Sequence, residues 1–297
     1  MTQCFIDFLK EQDVKFIEDL DIKQISSIGI GGRAKLAVLP NSEEKLLKTV
    51  SFLTQLGEGY KVVGNTTNIL FPDTDFRDVL ILTRNVNGYR IENDMFYAEC
   101  GGTFSALIRK IADLGYCGFD ELYGIPGSVG GMVFGNAGAY GKAMSDVTVS
   151  VRIYSPIADK ITEIPLEQMV FSYRSSALKH SGEIVLSALF RTERDSAEKI
   201  RARLLSIVER RKRAQPSGKS LGSIFKRHGN LPVSRLIDEL GMKGLTVGGA
   251  VISNKHAGFI MNASEASAAD VRALISEVKR GVYSQYGFIP EEEIEIL

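Results

Sequence analysis

The chain has 297 residues, with 36 Lys plus Arg against 36 Asp plus Glu and therefore no formal net charge. Hydrophobic residues at 44 % and charged residues at 24 % exclude wholesale disorder, and the length suits two or three sub-domains rather than one core. Balanced charge lacks the overall basic footprint of a nucleic-acid binder, and three Cys with three His give neither a disulfide framework nor a zinc spacing.

The first 21 residues are acidic and lack the apolar core of a signal peptide, and no apolar run approaches the roughly 20 residues of a membrane helix. A cytoplasmic chain with no membrane span and no metal is the expectation. In chain order, Lys35–Leu39 reads as a strand ended by Pro40. Asn41 or Ser42 can cap a helix through Gln55, with Leu46, Leu47, Val50 and Leu53 on one face. Tyr60–Val63 is a short apolar strand, GNTTN (Gly64–Asn68) a loop, Ile69–Phe71 extended, and Val79–Leu82 a buried strand, the order of an α/β unit.

Tyr89–Ile91 and Met95–Glu99 read as a hairpin across Glu92–Asp94. Thr103 is placed to cap a helix to Leu114, with Leu107, Ile108, Ile111 and Leu114 inward. Gly124–Gly141 has neither period and is expected to be a loop. Val147–Tyr154, Lys160–Ile164 and Glu183–Phe190 are three further strands. Asp195 with Glu198 imitates a capping box for a helix to about Arg213, with the stripe Ile200, Leu204, Leu205, Ile207 and Val208. The remainder reads as a helix Val233–Leu240 stopped by Gly241, strands flanking Gly248–Gly249 and at His256–Met261, and a helix opened by Ser267 and Asp270 toward Tyr286. EEEIEIL closes on a short strand.

Glycine is the informative residue: there are 29, and eleven of them fall between Gly101 and Gly141. GIPGSVGGMVFGNAGAYG (Gly124–Gly141) packs seven glycines into eighteen residues. A loop this long, apolar and small points to a bound flat or phosphorylated ligand rather than to a structural collar. GNTTN after a strand can aim N–H groups at a pyrophosphate, although taken alone it reads as an ordinary turn, and it is no Walker loop. SIGIGGRA (Ser27–Ala34) is a similar but weaker signal. In SYRSSALK, Arg174 beside Tyr173 can clamp a carboxylate or be a surface residue. The bases Arg210–Arg213 read as a solvated helix end, with an RNA- or protein-binding module as the distant alternative. Ser220, Ser223, Lys219 and Lys226 form a polar edge without the elbow of a hydrolase nucleophile. A lone His256 and the acidic Glu291–Glu293 read by default as structural and solubilising.

The order of these motifs resembles one family. SIGIGGRA, VVGNTTNIL, the long glycine loop, SYRSS, QPSGKSLGSIFK, LIDELGMKGLTVGGAVISNKHAGFIMN and a terminal glutamate are similar, from about residue 20 onward, to the UDP-N-acetylenolpyruvoylglucosamine reductases, the MurB flavoenzymes. No long insertion stands near Ser176–Glu183, and the pair Lys226-Arg227 follows the serine loop, as in the shorter subclass. The resemblance implies an α+β fold: a two-part FAD-binding unit of vanillyl-alcohol-oxidase type (residues 1–85 and 86–195), then a smaller α+β substrate-binding domain (196–297).

It also implies FAD as cofactor, NADPH as hydride donor and a UDP-sugar enolpyruvyl ether as substrate, with no oligomer required. Its site residues map onto Arg174, which steadies the enolate, Ser223, which protonates it, and Glu293, which works with the arginine and is expected to be protonated or strongly coupled. Gly64, Asn65, Thr66, Thr67, Asn68, Gly127, Ser128, Gly130, Gly131, Asn136, Gly138 and Ala139 map onto the cofactor site. Tyr173, Lys226, Arg227 and His256 map onto the substrate site. Thr66 replaces a second glycine of the family loop, and a β-branched residue there resists positive φ, so an altered loop geometry is expected. His228 replaces a usual proline and Glu295 a common basic residue, both leaving Arg174, Ser223 and Glu293 in place. Another oxidoreductase on the same FAD fold is the alternative, against which the serine–lysine loop stands.

Overall fold

A computed structural model describes residues 3–297. The chain gathers into two compact units, each built from three stretches of sequence. The first holds residues up to Glu18, Leu36–Asn65 and Arg77–Glu209; the second holds Asp19–Lys35, Thr66–Phe76 and Arg210–Leu297.

In the first unit, α1 (Gln3–Glu11) buries Phe5 and Leu9, which are four apart and so share a helix face. They pack with α2 (Glu43–Leu56), where Phe8 and Phe52 stack at 4.1 Å. Ser42, not Asn41, caps α2 by accepting the Lys45 N–H at 3.2 Å, and Gly57 ends it at φ +67°. The strands Arg33–Leu39 and Tyr60–Val63 pair in parallel on either side of Val79–Leu82, whose four residues are all buried. A five-stranded antiparallel sheet follows, in the order Lys160–Pro165, Thr148–Ser155, Ile184–Arg191, Met95–Glu99, Tyr89–Glu92. The hairpin between the last two turns at Asn93 and Asp94, both at positive φ, as a primed two-residue turn requires.

Three further helices belong to this part of the chain: α3 (Phe104–Ala112), α4 (Val129–Phe134) and α5 (Ala197–Ala214). They correct several expectations. The glycine-rich stretch contains α4, capped by Ser128, so it is not loop throughout. Thr103 occupies the N-cap of α3 without a side-chain cap bond, because its Oγ1 accepts from Asn65 Nδ2 at 3.2 Å instead. That helix stops at Ala112, which leaves Leu114 beyond its end and 58 % exposed rather than inward. Ser196, not Asp195, caps α5 through Lys199 N–H at 3.4 Å, while Asp195 bonds Arg203 at 2.6 Å. Leu205 falls off the buried stripe at 66 % exposure, leaving Ile200 and Leu204 as its buried members.

The second unit has its own core, in which Ile28, Ile30 and Leu70 join Leu221, Ile237, Ile252 and Val271. Its sheet runs Ser220–Ser223, Phe259–Asn262, Ala250–Ile252, Thr246–Val247. Two helices complete it, α6 (Val233–Glu239) and α7 (Ala268–Tyr286), the latter opened by a full Ser267/Asp270 capping box. Glu295–Ile296 pairs in parallel with Ile69–Leu70. Replacing Ser42 by Ala is expected to lower stability by about 1 kcal/mol, whereas Glu198→Ala should change it by less than about 0.5 kcal/mol, read by urea unfolding.

Candidate active site

One end of the first unit is shaped by places where a side chain has no room. Gly64 follows the Tyr60–Val63 strand, and a Cβ there would collide with Ser128 Oγ. Gly101 follows Met95–Glu99, and a Cβ there would collide with the Thr83 carbonyl. At Gly130, inside α4, a Cβ would lie 3.1 Å from Cys100 Cβ. Burial pushes the Cys100 thiol up to about 12, so it stays neutral at this junction.

The first amides of α4 are spent inside the protein. Val129 N–H goes to Gly102 O at 2.9 Å, Gly130 N–H to Cys100 O at 2.8 Å, and Gly131 N–H to Ser128 Oγ at 3.2 Å. Gly127 and Gly130 therefore contribute close packing against Met132 and Cys100, and Ser128 a helix cap, more than a ring of amide donors. Gly131 is exposed at the edge, and Gly138 and Ala139 form a two-residue strand paired with Lys142–Ala143. Asn136 is buried with both ends of its amide engaged by backbone, at Ser172 O (2.9 Å) and Ser145 N (3.0 Å).

Tyr173 and Arg174 are the apex of a two-residue turn closed by reciprocal Ser172 and Ser175 bonds at 3.0 and 3.2 Å. Tyr173 is 49 % exposed, and the Arg174 guanidinium lies over its ring at 5.0 Å while Nη2 donates to Gly138 O at 2.6 Å. An arginine offered beside an exposed aromatic ring suits a planar carboxylate.

The boundary between the units divides the GNTTN loop after Asn65. In the second unit Thr66 is 3 % exposed and sits at φ +55°. The expectation that a β-branched residue would avoid the left-handed region is overturned. Its Oγ1 donates to Ile25 O at 2.6 Å, and the bond holds the strained backbone in place. Ser27 Oγ–H is shared between Thr66 O at 3.3 Å and Ser220 O at 3.1 Å. Thr67 lies in the following turn, and Asn68 Nδ2 donates to Glu293 O at 3.0 Å while Asn68 O accepts Glu295 N–H at 2.9 Å.

Ser223 and Glu293 are brought onto neighbouring stretches of backbone. Glu293 N–H donates to Ile224 O at 2.7 Å, Phe225 bridges Glu292, and Lys226 N–H donates to Glu291 O at 2.9 Å. The strand Ser220–Ser223 carries a register irregularity with Phe259–Asn262, and Gly222 at φ +79° lies within it. Such a bulge re-aims the side chain that follows it, here Ser223. The solubilising-tail expectation for Glu291–Glu293 is overturned, because Lys226 pairs with Glu291 and Lys279 with Glu292 at 2.5 Å. Arg227 is exposed, and His228 stacks on Phe288 at 3.8 Å.

His256 lies in a turn before the Phe259–Asn262 strand rather than in it. Its Nδ1 accepts Gly258 N–H at 3.1 Å, which places the neutral ring's proton on Nε2. A Cβ at Gly258 would lie 3.1 Å from both His256 Cε1 and Ser223 Oγ, so this glycine admits the histidine and the serine to one spot. Burial, with Lys243 nearby, holds the His256 pKa below its ordinary 6.5, against an opposing pull from Asp238.

Among the described residues no group of His, Cys, Asp and Glu could hold a metal ion, and no helix is long and apolar enough to cross a membrane. Residues 34–158 match the family profile described as an FAD binding domain. A solved alkyldihydroxyacetonephosphate synthase shares the fold at TM-score 0.51 and 16 % identity, covering 65 % of this chain and 41 % of that one. Fold and profile together define an α+β protein with an FAD-binding domain, its fold shared with that synthase.

The particular family follows from the remaining matches. Residues 214–297 match the profile of the UDP-N-acetylenolpyruvoylglucosamine reductase C-terminal domain. The UDP-N-acetylenolpyruvoylglucosamine reductase of Caldicellulosiruptor bescii is 36 % identical over 293 residues, 98 % of this chain and 93 % of that protein. The crystal structure of the MurB enzyme from Thermus caldophilus superposes at TM-score 0.81 with 30 % identity, over 95 % of this chain and 98 % of that one. The chain belongs to the UDP-N-acetylenolpyruvoylglucosamine reductase family.

Thr66→Val keeps the shape and the backbone strain but strips Ile25 O of its donor, an expected loss of about 1–3 kcal/mol in chemical unfolding. For His256 the depressed pKa means that stability is fully present above the ordinary 6.5 and is lost as pH falls through the folded value. Unfolding midpoints should therefore drop as pH falls below the ordinary 6.5, and His256→Gln should flatten that slope.

Proposed function

We propose that this chain reduces the enolpyruvyl ether of UDP-N-acetylglucosamine to UDP-N-acetylmuramate, the reduction step of peptidoglycan precursor synthesis. The observation that carries the reading is the pairing of Ser223 and Glu293 on adjoining backbone within the family's C-terminal domain. FAD, when bound, supplies the hydride chemistry between NADPH as donor and the terminal methylene of the substrate as acceptor. Gly64, Asn65, Thr66, Thr67, Asn68, Gly127, Ser128, Gly130, Gly131, Gly138 and Ala139 are proposed to hold it, with residues 1–85 and 86–195 as its two parts and 196–297 for substrate.

The protein's own work is charge and proton handling. Hydride addition leaves the electron pair on the carbon bearing oxygen, conjugated with the substrate carboxylate. Arg174 offsets that growing negative charge, an interaction made chiefly in the transition state. Ser223 Oγ–H gives its proton to the carbon and recovers one from solvent; serine is a feeble acid, but the carbanion is a far stronger base. Glu293 is proposed to serve the same step as the arginine, and an ionised carboxylate would oppose the charge being stabilised, so it acts protonated or tightly coupled. Tyr173, Lys226, Arg227 and His256 are proposed to meet the UDP-sugar. A cytoplasmic enzyme that needs no oligomer completes the reading.

In anaerobic stopped-flow absorbance, NADPH should bleach the flavin of Ser223→Ala at the normal rate. Reoxidation by the enolpyruvyl UDP-sugar should slow by about 10²–10⁴-fold. A slowed first half-reaction would instead place Ser223 in cofactor binding. A purified protein with neither bound nor bindable flavin would sink the whole reading.

A further inference from the structure

The turn that carries Arg174 is strained on both sides of Ser172. Arg174 sits at φ +57°, and Val170, β-branched and exposed, sits at φ +44°. Left-handed backbone at non-glycine residues persists only where the surroundings over-determine it. One buried side chain does this here. Asn136 is 5 % exposed and itself at φ +42°. Its Nδ2 donates at 2.9 Å to Ser172 O, the same carbonyl that accepts Ser175 N–H to close the turn, so both lone pairs of that oxygen are used. Its Oδ1 accepts Ser145 N–H at 3.0 Å and so ties the turn to a second segment. Two residues further on, Gly138 O receives Arg174 Nη2 at 2.6 Å. The short stretch Asn136–Gly138 thus grips the turn by its backbone and the arginine by its guanidinium.

We infer that Asn136 is the positioning residue of Arg174 rather than a contact to FAD. The inference rests on the functional reading above, in which Arg174 acts on the developing charge. Misaiming a catalytic group by about 1 Å costs on the order of 10²-fold in rate, so a turn released from Asn136 is felt in the step that Arg174 serves and not in flavin reduction.

Two variants separate the possibilities in the FAD-loaded protein. Asn136→Asp keeps the acceptor for Ser145 but faces Ser172 O with a carboxylate oxygen. Asn136→Gly tolerates the left-handed backbone and deletes both bonds, and supplies the same measurement if the aspartate variant does not fold. The readouts are FAD content by spectrum, thermal midpoint, the rate of flavin reduction by NADPH, and kcat and KM for reoxidation by the UDP-sugar. Expected are FAD content and reduction within about twofold of normal and a reoxidation kcat lowered about 10- to 100-fold. Adding Arg174→Ala to Asn136→Asp should cost no more than Arg174→Ala alone.

Loss of FAD, equal slowing of both half-reactions, or multiplying losses in the double variant would overturn the assignment. So would normal reoxidation in Asn136→Asp when Arg174→Ala is impaired. Normal reoxidation in Arg174→Ala itself would overturn the functional reading, and this inference with it.

Discussion

A single steric constraint organises the first unit: where the strand end at Gly64, the turn at Gly101 and the helix at Gly130 converge, there is no volume for a Cβ. Backbone therefore meets backbone, and the carbonyls of Cys100 and Gly102 reach the first amides of α4. The result is a floor of main chain, stiff because its donors and acceptors satisfy one another, with the buried thiol of Cys100 held neutral beneath it. A floor of this kind suits a large, flat, anionic cofactor better than a cluster of lysines would, since it excludes water without paying to bury charge. The electrically neutral composition of the chain is consistent with that solution.

The second unit positions its groups by a different device. Ser223, at the end of a strand, and Glu293, in a bend, lie on adjoining stretches of backbone whose register is set by main-chain bonds and whose flanks are pinned by side chains from elsewhere. Asn68 grips the backbone at Glu293 and Glu295, and lysines take up the two glutamates that precede Glu293. His256 and Gly258 complete the arrangement, because the missing side chain at Gly258 leaves space that the histidine ring and the serine hydroxyl both approach.

Much of this was legible from residue order, and the exceptions have physical causes. Ser42, Ser267 with Asp270, and the Asn93-Asp94 turn announce themselves because capping and positive φ depend on local chemistry. Helix α4 was hidden because glycine carries little helical propensity, and its formation depends on tertiary carbonyls and on a single serine cap. The i, i+4 pair Phe5 and Leu9 signals α1, but a nine-residue helix gives only a weak period. Ser196 was masked by the neighbouring Asp195, which is drawn away by Arg203. The bracing roles of Asn68 and Asn136 left no local signature, since their partners are 225 and 36 residues away.

The interleaving of the two units has a consequence for synthesis on the ribosome. The strand Ile69–Leu70 has Glu295–Ile296 as its parallel partner, so it waits for nearly the whole chain to be made before it can be completed. At about 5–20 residues per second, that interval is on the order of ten to forty seconds. Over it, Leu70, Ile28 and Ile30, fully buried in the finished protein, gain their later core neighbours only as residues 221–294 emerge. The nascent chain thus carries an unfinished half-core of the second unit that cannot close until the last third of the chain is made, whereas all three stretches of the first unit are complete at Glu209.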